Sequence, residues 1–243
     1  MNSRPSTGSG RTGSNKEAER VREAYARRAE LGLDARYEYW QPANLFIYQA
    51  RERAMLGLLR KAGMLPLTGR RVLDAGCGDG SVLRDLLRYG ADPEELHGID
   101  LLPERVERAR ELVPGAHIDV GDAQTLAHAD ESFDLVLGFT LLSSVVDPEA
   151  RRRVAGEMRR VTKRGGIVLV YDFWTNPFNR DVRPVRRPEL RELFAGSKVE
   201  FTSTTLAPPL LRLLIRAPGG WFACSALDML PLLRTHYVAA VHV

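Results

Sequence analysis

A glycine-rich segment, followed along the chain by an acidic residue, is the part of the sequence best suited to bind a charged small molecule. The segment Val72-Leu73-Asp74-Ala75-Gly76-Cys77-Gly78-Asp79-Gly80-Ser81 follows an apolar run and precedes a helical pattern. Glycines at such a turn let the backbone bend sharply and approach a ligand closely, and the helix start offers unpaired N–H groups to an anion. Twenty residues after Gly80, Asp100 ends the next apolar run, where a carboxylate suits hydrogen bonds to both ribose hydroxyls. The pattern predicts a nucleoside-containing ligand at the carboxyl ends of these strands.

The elements that must position this segment alternate between short apolar runs and amphipathic helices. Near-continuous apolar runs are typical of a parallel sheet covered on both faces. The strands are predicted at Arg71–Ala75, Leu96–Asp100, Ala116–Val120, Phe133–Phe139, Ile167–Phe173, Lys198–Leu206 and Thr235–Val243. Helices are predicted over 16–31, 43–62, 81–89, 103–112, 148–163 and 188–194, with Gly165-Gly166 ending the fifth. This predicts an α/β fold with a seven-stranded, mostly parallel sheet, an antiparallel last strand and helices on both faces.

Composition divides the chain into three parts. Residues 1–15 are polar and rich in Gly and Ser, and we expect a disordered tail there. Residues 16–66 are expected to form an N-terminal helical cap, and 67–243 the sheet-containing domain. Within that domain, the apolar residues 207–234 are predicted as a helical insertion between the last two strands, acting as a lid. A length of 243 residues with 44% apolar content suits one such domain rather than two.

Charge and cysteine content exclude several classes of function. Of the net charge of +4, residues 1–30 carry +3, whereas a nucleic-acid enzyme concentrates positive charge on its folded face. We therefore expect no nucleic-acid partner. No uncharged apolar run is long enough to span a membrane, and the first fifteen residues lack the apolar centre of a signal peptide, so a cytoplasmic location is expected. Two cysteines, Cys77 and Cys224, are too few for a disulfide framework or a cysteine-based metal site, and no metal is expected.

The glycine segment fits one nucleotide-binding pattern better than another. The dinucleotide fingerprint G-x-G-x-x-G would place its third glycine where this chain has Ser81. The pattern D-x-G-x-G-x-G from Asp74 to Gly80 instead resembles motif I of the class I S-adenosylmethionine (SAM)-dependent methyltransferases. Other pieces are similar to that family in order and spacing, namely Gly98-Ile99-Asp100, Gly121-Asp122-Ala123, Phe133-Asp134-Leu135-Val136 and Arg164-Gly165-Gly166. The resemblance covers about residues 70–173 and extends loosely to the C-terminus.

The resemblance implies SAM as the cofactor, S-adenosylhomocysteine as its product, and a role for each matching residue. In the family, the glycine turn lines the methionine part, the second strand holds the ribose, the third strand end contacts adenine, and the fourth strand end borders the sulfonium. The residues implied in these roles are Asp74, Gly76, Cys77 and Gly78 for the methionine part; Asp100 for the ribose; Leu101, Asp122 and Ala123 for adenine; and Phe139 and Thr140 for the sulfonium.

The acceptor is expected to be a small molecule with an apolar part. Enzymes that methylate amino groups of nucleic-acid bases often carry Asn/Asp-Pro-Pro-Tyr/Phe after the fourth strand, where this chain has Phe139-Thr140-Leu141-Leu142. The segments 25–48 and 207–234, rich in Leu, Pro and aromatic residues, are predicted to roof the acceptor site. Tyr25, Tyr37, Trp174 and Asn176 are the candidate substrate contacts.

A hydroxyl acceptor benefits from a general base, which contributes about 10²–10⁴-fold. Two side chains near strand ends on the expected acceptor side can serve, His236 and Asp172. Each has a structural alternative, since a histidine or aspartate at a strand end also serves as a core or edge residue.

Three functions compete at this point. The first is SAM-dependent methylation of oxygen, with nitrogen and carbon as alternatives, in a sugar, a lipid-linked compound or a specialised metabolite. The second is a nucleotide-binding oxidoreductase, against which Ser81 and Asp74 argue. The third is a non-catalytic SAM-binding module held at a membrane surface by the basic first helix and the apolar insertion. For the insertion, three roles remain as alternatives: a lid, a membrane contact or the surface of a homodimer.

Overall fold

A computed structural model of the chain describes residues 9–32, 38–176 and 179–243. Two helices precede the sheet, α1 (Ser9–Glu30) and α2 (Pro42–Lys61). The strands are β1 (Val72–Ala75), β2 (Leu96–Asp100), β3 (His117–Val120), β4 (Phe133–Phe139), β5 (Thr162–Phe173), β6 (Lys198–Leu206) and β7 (Arg234–His242). The remaining helices are α3 (Ser81–Leu87), α4 (Pro103–Leu112), α5 (Leu141–Ser144), α6 (Pro148–Val161), α7 (Arg187–Leu193), α8 (Pro208–Leu214) and α9 (Gly220–Asp228), with short 3-10 turns at Pro93–Glu95 and Pro231–Leu233.

The seven strands form one sheet in the order β3-β2-β1-β4-β5-β7-β6. Neighbours from β3 to β5 are parallel, whereas β7 runs antiparallel to both β5 and β6. The predicted α/β fold, with its mostly parallel sheet and antiparallel last strand, is confirmed. The strand order reverses between β1 and β4, and open sheets of this kind bind ligands beyond the carboxyl ends of the strands at that reversal.

Apolar side chains on both faces of the central strands explain why this sheet lies inside the molecule. Leu135 and Leu137 of β4 pack in one core with residues of α2, α3 and α4, and Val136 packs in a second core with α6 and α7. Successive residues of a strand point to opposite faces, so a continuous apolar run is buried by helices on both sides. The carboxyl ends of the strands are left as the edge at which polar groups meet.

The boundary between α6 and β5 differs from the prediction. The helix ends at Val161, and the strand begins at Thr162, before Gly165-Gly166 rather than after it; the predicted helix end at residue 163 is therefore wrong. Phe133 pairs with Thr162 while Leu135 pairs with Ile167, with a register irregularity between them. Gly165 has φ +79°, so the glycines form an irregularity inside the strand. Pairing with β4, which is distant in sequence, sets this boundary.

The N-terminal helix also differs from the expected tail. It begins at Ser9, so residues 9–15 belong to the helix, while 1–8 lie outside the described residues. A polar segment can extend an exposed helix through backbone hydrogen bonds alone. Farther along, Glu17 accepts a hydrogen bond from the Val146 backbone N at 2.7 Å, and Arg20 donates to the Ser144 backbone O at 2.5 Å. These contacts fix α1 across the carboxyl edge of the sheet.

The insertion and α2 share a small core of their own at the same edge. Leu211, Ile215 and Cys224 from the insertion are buried against Ala43 and Phe46 of α2. Because β6 ends and β7 begins at the carboxyl edge, the insertion lies beside the strand ends. Among the described helices, none combines the length and apolar character needed to cross a membrane.

We expect Arg151→Met to destabilise the fold. The Arg151 side chain is fully buried and donates to the Val145 backbone O at 3.0 Å, to Glu189 Oε1 at 2.7 Å and to the Arg183 backbone O at 3.0 Å. Methionine leaves these acceptors without their donor, at a cost of roughly 3 kcal/mol in the free energy of unfolding. Urea unfolding measures it. The control is Arg152→Met at an exposed neighbour that pairs with Glu149, where a change within about 0.5 kcal/mol is expected; equal losses for both variants would contradict the structure.

Candidate functional site

The turn after β1 is held tightly against β2. The backbone N–H groups of Gly76 and Cys77 both donate to the Ile99 carbonyl, at 2.7 and 2.9 Å. Gly76 and Gly80 have φ values of +90° and +80°, a region that side chains rarely tolerate. A Cβ at Gly80 would lie only 2.9 Å from the Ala109 Cβ. Glycine is therefore required both for the bend and for the close approach of α4.

Asp74 carries an unsatisfied carboxylate oxygen at the carboxyl end of β1. The residue is buried, and its Oδ1 has no hydrogen-bond donor among the described residues. Burial, followed by the negative charge of Asp100, raises the pKa of Asp74 to about 7. A buried acceptor without a partner is costly and needs a specific explanation. A cationic or N–H-bearing ligand above the turn would supply the missing partner.

Asp100 ties the glycine turn to the end of β2 and keeps part of its carboxylate available. Its Oδ2 accepts from the Gly78 backbone N at 2.9 Å, and its Oδ1 accepts from the Leu102 backbone N at 3.0 Å. Burial raises the pKa of Asp100 above its ordinary value. A carboxylate has about four acceptor positions, so each oxygen retains capacity for one further donor, such as a hydroxyl.

The adenine-side candidates lie on the next strand end, next to Asp100. The Gly121 backbone N donates to the Asp100 backbone O at 2.9 Å, which brings Asp122 to the same edge. The Asp122 carboxylate accepts from the Gln124 backbone N at 2.8 Å and from its Nε2 at 3.0 Å, and Ala123 is buried. Leu101 is half-buried at the end of β2. Local hydrogen bonds therefore orient Asp122 without exhausting its acceptor capacity.

Cys77 differs from the other residues of the turn. It is buried, and a Cβ on Gly98 would lie 2.9 Å from its Sγ, so the thiol packs beneath the turn. Burial raises the pKa of this thiol. The backbone N–H of Cys77 already donates to the Ile99 carbonyl. The structure thus gives Cys77 a packing position, while the sequence prediction groups it with the cofactor contacts.

Arg51 of α2 lies over the strand ends beside the turn. Its Cζ is 5.3 Å from the ring centre of Phe139, 5.6 Å from that of Tyr171 and 4.9 Å from that of Tyr48, within cation–π range. Its charge also lowers the pKa of Asp74, against the effect of burial. The cavity left between α2, α3 and Phe139 is about 20 Å³, the space of a single water molecule. Arg51 therefore fills the space between the cap and the sheet.

Sequence reasoning missed Arg51 and Tyr48, although a signal was present. Both lie on the stripe of α2 that includes the buried residues Met55 and Leu58, at the three- and four-residue spacings of one helical face. A cation on an otherwise apolar stripe marks a position where the helix meets a polar site.

Beyond Arg51, the strand end of β4 is held in a strained conformation. Thr140 has φ +54°, a left-handed value uncommon for a non-glycine residue, and its backbone N donates to the Tyr171 backbone O at 2.7 Å. Strain of this kind often marks a functional site. The predicted pair Phe139 and Thr140 thus lies beside β5 at the same edge as Asp74.

A second guanidinium lies near Asp100 under α1. The Cζ of Arg105 is 4.3 Å from the ring centre of Tyr25, and a Cβ on Gly78 would lie 3.5 Å from its Nη1. The charge of Arg105 lowers the pKa of Asp100, against the effect of burial. Tyr25 thus reaches the predicted cofactor side of the edge. Tyr37, the other candidate tyrosine, lies outside the described residues.

The two candidate bases face opposite sides of the sheet. His236 stacks on Tyr171 at 5.3 Å between ring centres, its Nδ1 shares a 2.9 Å hydrogen bond with Thr235 Oγ1, and burial lowers its pKa to about 4. Asp172 follows Tyr171 and therefore points to the other face. It is fully buried and accepts from the backbone N–H groups of Ser143 and Phe173, both at 3.0 Å; its burial raises its pKa to about 6. Through its hydrogen bond to Ser143, Asp172 anchors α5.

Trp174 and Asn176 lie on a different cavity from Arg51. They line an open cavity of about 420 Å³ together with Arg183, Arg186 and Glu189, and the Trp174 Nε1 donates to the Arg234 backbone O at 2.9 Å. The structure therefore places Trp174 and Asn176 on a cavity that Arg51 does not line. Within the part of the chain that the structure describes, no cluster of three His, Cys, Asp or Glu side chains has metal-binding geometry.

Comparison with known proteins places this geometry in context. The family model described as a methyltransferase domain matches residues 72–166. The ubiquinone biosynthesis O-methyltransferase of Azorhizobium caulinodans is 38% identical over 109 residues, which are 43% of this chain and 41% of that protein. The phosphatidylethanolamine N-methyltransferase of Cereibacter sphaeroides is 36% identical over 136 residues, which are 54% of this chain and 62% of that protein. The chain thus spans about two-fifths to three-fifths of these curated relatives.

A solved structure from Thermotoga maritima shows the same fold. It is described as a SAM-dependent methyltransferase and possible histamine N-methyltransferase, with a TM-score of 0.57 and 21% identity, covering 85% of this chain and 94% of that one. At this level of identity, the likeness concerns the arrangement of the sheet and helices. It extends beyond the matched segment to include the antiparallel end of the sheet.

The raised pKa of Asp74 predicts a pH-dependent effect of Asp74→Asn on stability. Because the folded-state pKa is about 7 against an ordinary 3.8, the stability linked to Asp74 is complete below its unfolded pKa and is lost as pH rises through about 7. One pKa unit corresponds to about 1.4 kcal/mol, so Asp74→Asn should gain roughly 4 kcal/mol relative to wild type between about pH 4 and pH 8. Urea unfolding across this range measures the difference. Asp119→Asn, at an exposed carboxylate of β3, is the control and should show a flat difference; a flat profile for Asp74→Asn would overturn the assignment.

Proposed function

We propose that this chain, whose residues 72–166 match the family model described as a methyltransferase domain, is a class I SAM-dependent enzyme that transfers the methyl group of SAM to an oxygen of a small molecule. The observation that carries the proposal is the buried Asp74 carboxylate with its unpartnered Oδ1, set beside the glycine turn and Asp100. Two neighbouring carboxylates in a site with little water favour a ligand that carries positive charge and several donors.

The residues at the strand ends fit SAM as their ligand. When bound, SAM supplies an electrophilic methyl group on a positively charged sulfonium. Asp74 Oδ1 is suited to the amino group of its methionine part, and the remaining acceptor positions of Asp100 are suited to the ribose hydroxyls. Asp122 lies next to Asp100 for the adenine amino group. Holding two reactants in line removes up to roughly 7–11 kcal/mol of the barrier, so positioning is the main task of these side chains.

The chain's own groups favour an oxygen acceptor. These groups are Arg51 and His236, and both contact Tyr171. The Tyr171 ring centre lies 5.6 Å from the Arg51 Cζ and 5.3 Å from the His236 ring centre. A cation here repels an ammonium group and stabilises negative charge that develops on oxygen. Burial keeps His236 neutral near pH 7. In the tautomer whose Nδ1–H donates to Thr235 Oγ1, Nε2 is unprotonated and can accept the hydroxyl proton of the acceptor. His236 is therefore our candidate base in preference to Asp172, which lies on the other face.

The relatives do not decide between oxygen and nitrogen, because their names include both an O-methyltransferase and an N-methyltransferase. An amine or carbon acceptor is the alternative that this similarity leaves open. The small cavity under Arg51 supports one further alternative, a module that binds SAM without turnover. Release of S-adenosylhomocysteine with a panel of alkyl-substituted phenols and amines separates these functions.

Binding of SAM is expected to depend on Asp100. Asp100→Asn removes the charge that assists hydrogen bonds to the ribose, which is worth about 1.5–3 kcal/mol, so Kd for SAM should rise at least about tenfold. Isothermal titration calorimetry with SAM and with S-adenosylhomocysteine measures the effect. The control Asp119→Asn should bind as wild type does. Absence of binding near micromolar concentration in the wild-type chain would reject the proposed function itself.

Turnover is expected to depend on His236 without any change in SAM affinity. His236→Gln removes the base and should lower kcat by about 10²–10⁴-fold with a phenolic acceptor. Since the pKa of His236 is lowered to about 4, wild-type turnover should stay level through neutral pH and fall as pH drops through about 4. His242→Gln, at the far end of the same strand, is the matched control and should retain activity. A His236→Gln variant with wild-type kcat would show that the proton is accepted elsewhere.

A further inference from the structure

The insertion between β6 and β7 has an outer surface that is almost entirely apolar. Phe222 lies in α9, and Met229 directly follows that helix, seven residues farther along the chain, which places both on one helical face. The Phe222 side chain is 80% exposed and the Met229 side chain is 77% exposed. Leu232, in the turn before β7, is 92% exposed. Leu213, Trp221 and Leu230 are exposed as well. Half of the large exposed hydrophobic side chains among the described residues therefore lie in this one insertion, which marks an interaction surface.

The charges around this surface have one sign. No ionisable acidic or basic residue occurs between Arg216 and Asp228. Asp228, the insertion's one acidic residue, is half-buried and pairs with Arg234 at 3.7 Å. Arg212 of α8 and Arg216, which follows the end of that helix, border the apolar surface. The border is thus positive, with no exposed carboxylate from the insertion to oppose it.

The surface is connected to the acceptor side of the site. Trp221 contacts Phe46 of α2 edge-on, at 5.4 Å between ring centres, and Cys224 is buried in the same small core. One turn farther along α2 are Tyr48 and Arg51, which lie over the ends of β4 and β5. A molecule held at the outer surface of the insertion is therefore next to the helix that closes the acceptor side.

We infer that this surface docks on an anionic lipid bilayer, from which a lipophilic acceptor reaches the site; the acceptor role rests on the proposed function. A surface of Phe, Trp, Leu and Met bordered by arginines matches a segment that lies in the membrane interface. Anionic headgroups attract the arginine border. In a symmetric dimer, the same patch would meet itself, which would bring the positive borders of two copies together, so a second copy is the less favourable occupant.

Flotation of the full chain with lipid vesicles tests the docking surface. Vesicles of phosphatidylcholine, with and without phosphatidylglycerol, are the probe. The triple variant Phe222→Ser, Met229→Ser, Leu232→Ser should lower partitioning about tenfold or more, since it removes three exposed apolar side chains from the interface. Arg216→Glu should lower partitioning about fivefold on phosphatidylglycerol vesicles, and salt should reduce binding in the same way.

Matched variants on other surfaces control for general stickiness and charge. Leu112→Ser with Val120→Ser replaces exposed apolar residues of α4 and β3, and Arg164→Glu reverses an exposed charge at the opposite edge of the sheet; both should float as wild type does. Unchanged thermal unfolding of each variant shows that the fold persists.

One outcome supports the inference and three overturn it. Loss of vesicle binding in the triple variant alone supports it. Wild-type chain that stays unbound, or a triple variant that floats equally well, overturns it, as does a dimer in sedimentation velocity that only the triple variant abolishes while vesicles have no effect. SAM calorimetry on the same samples separates the two proposals. Vesicle binding without SAM binding rejects the proposed function and supports the docking surface. SAM binding without vesicle binding rejects the docking surface and leaves the proposed function in place.

Discussion

The burial of the Asp74 carboxylate beside the half-buried Asp100, at the reversal point of the sheet, is the constraint on which the rest of the site depends. Asp74 and Asp100 lie at the carboxyl ends of adjacent parallel strands, and the charge of Asp100 raises the cost of ionising Asp74. Backbone N–H groups from the glycine turn satisfy Asp100, but Asp74 keeps an oxygen without a donor. A site preorganised in this way gains most from a ligand that brings positive charge.

Two guanidinium groups bring positive charge to that edge, Arg51 from the cap and Arg105 from α4 beneath it. Arg51 projects from α2 onto the rings at the ends of β4 and β5, and Tyr25 of α1 contacts Arg105 beside Gly78. The guanidinium groups offset part of the carboxylate charge while they fill the space above the strands.

The two faces of the sheet perform different tasks at its carboxyl edge. On the face covered by α2, Tyr171 stacks with His236 and lies below Arg51, which makes a partly buried surface with mixed aromatic and basic character. On the other face, Asp172 and Arg151 anchor α5 and the segment before α7 through hydrogen bonds to backbone groups. Thr140, with its strained backbone, joins the end of β4 to the start of α5. The stacked rings and the structural anchors are thus on opposite faces of the sheet, because successive side chains along β5 alternate between the faces.

The sequence by itself indicated the seven strands and the glycine turn, because these depend on local periodicity and on the steric demands of glycine. The family resemblance, rather than periodicity, assigned Asp74 and Asp100 to one ligand site. The sequence did not determine that β5 begins before Gly165, since pairing with β4 decides that boundary. Nor could it separate Asp172 from His236, because a strand buried on both faces lacks the polar alternation that reveals orientation. The position of Arg51 over Phe139 was decided by tertiary structure alone: the contact joins a helix and a strand end far apart in the chain, and only packing brings them together.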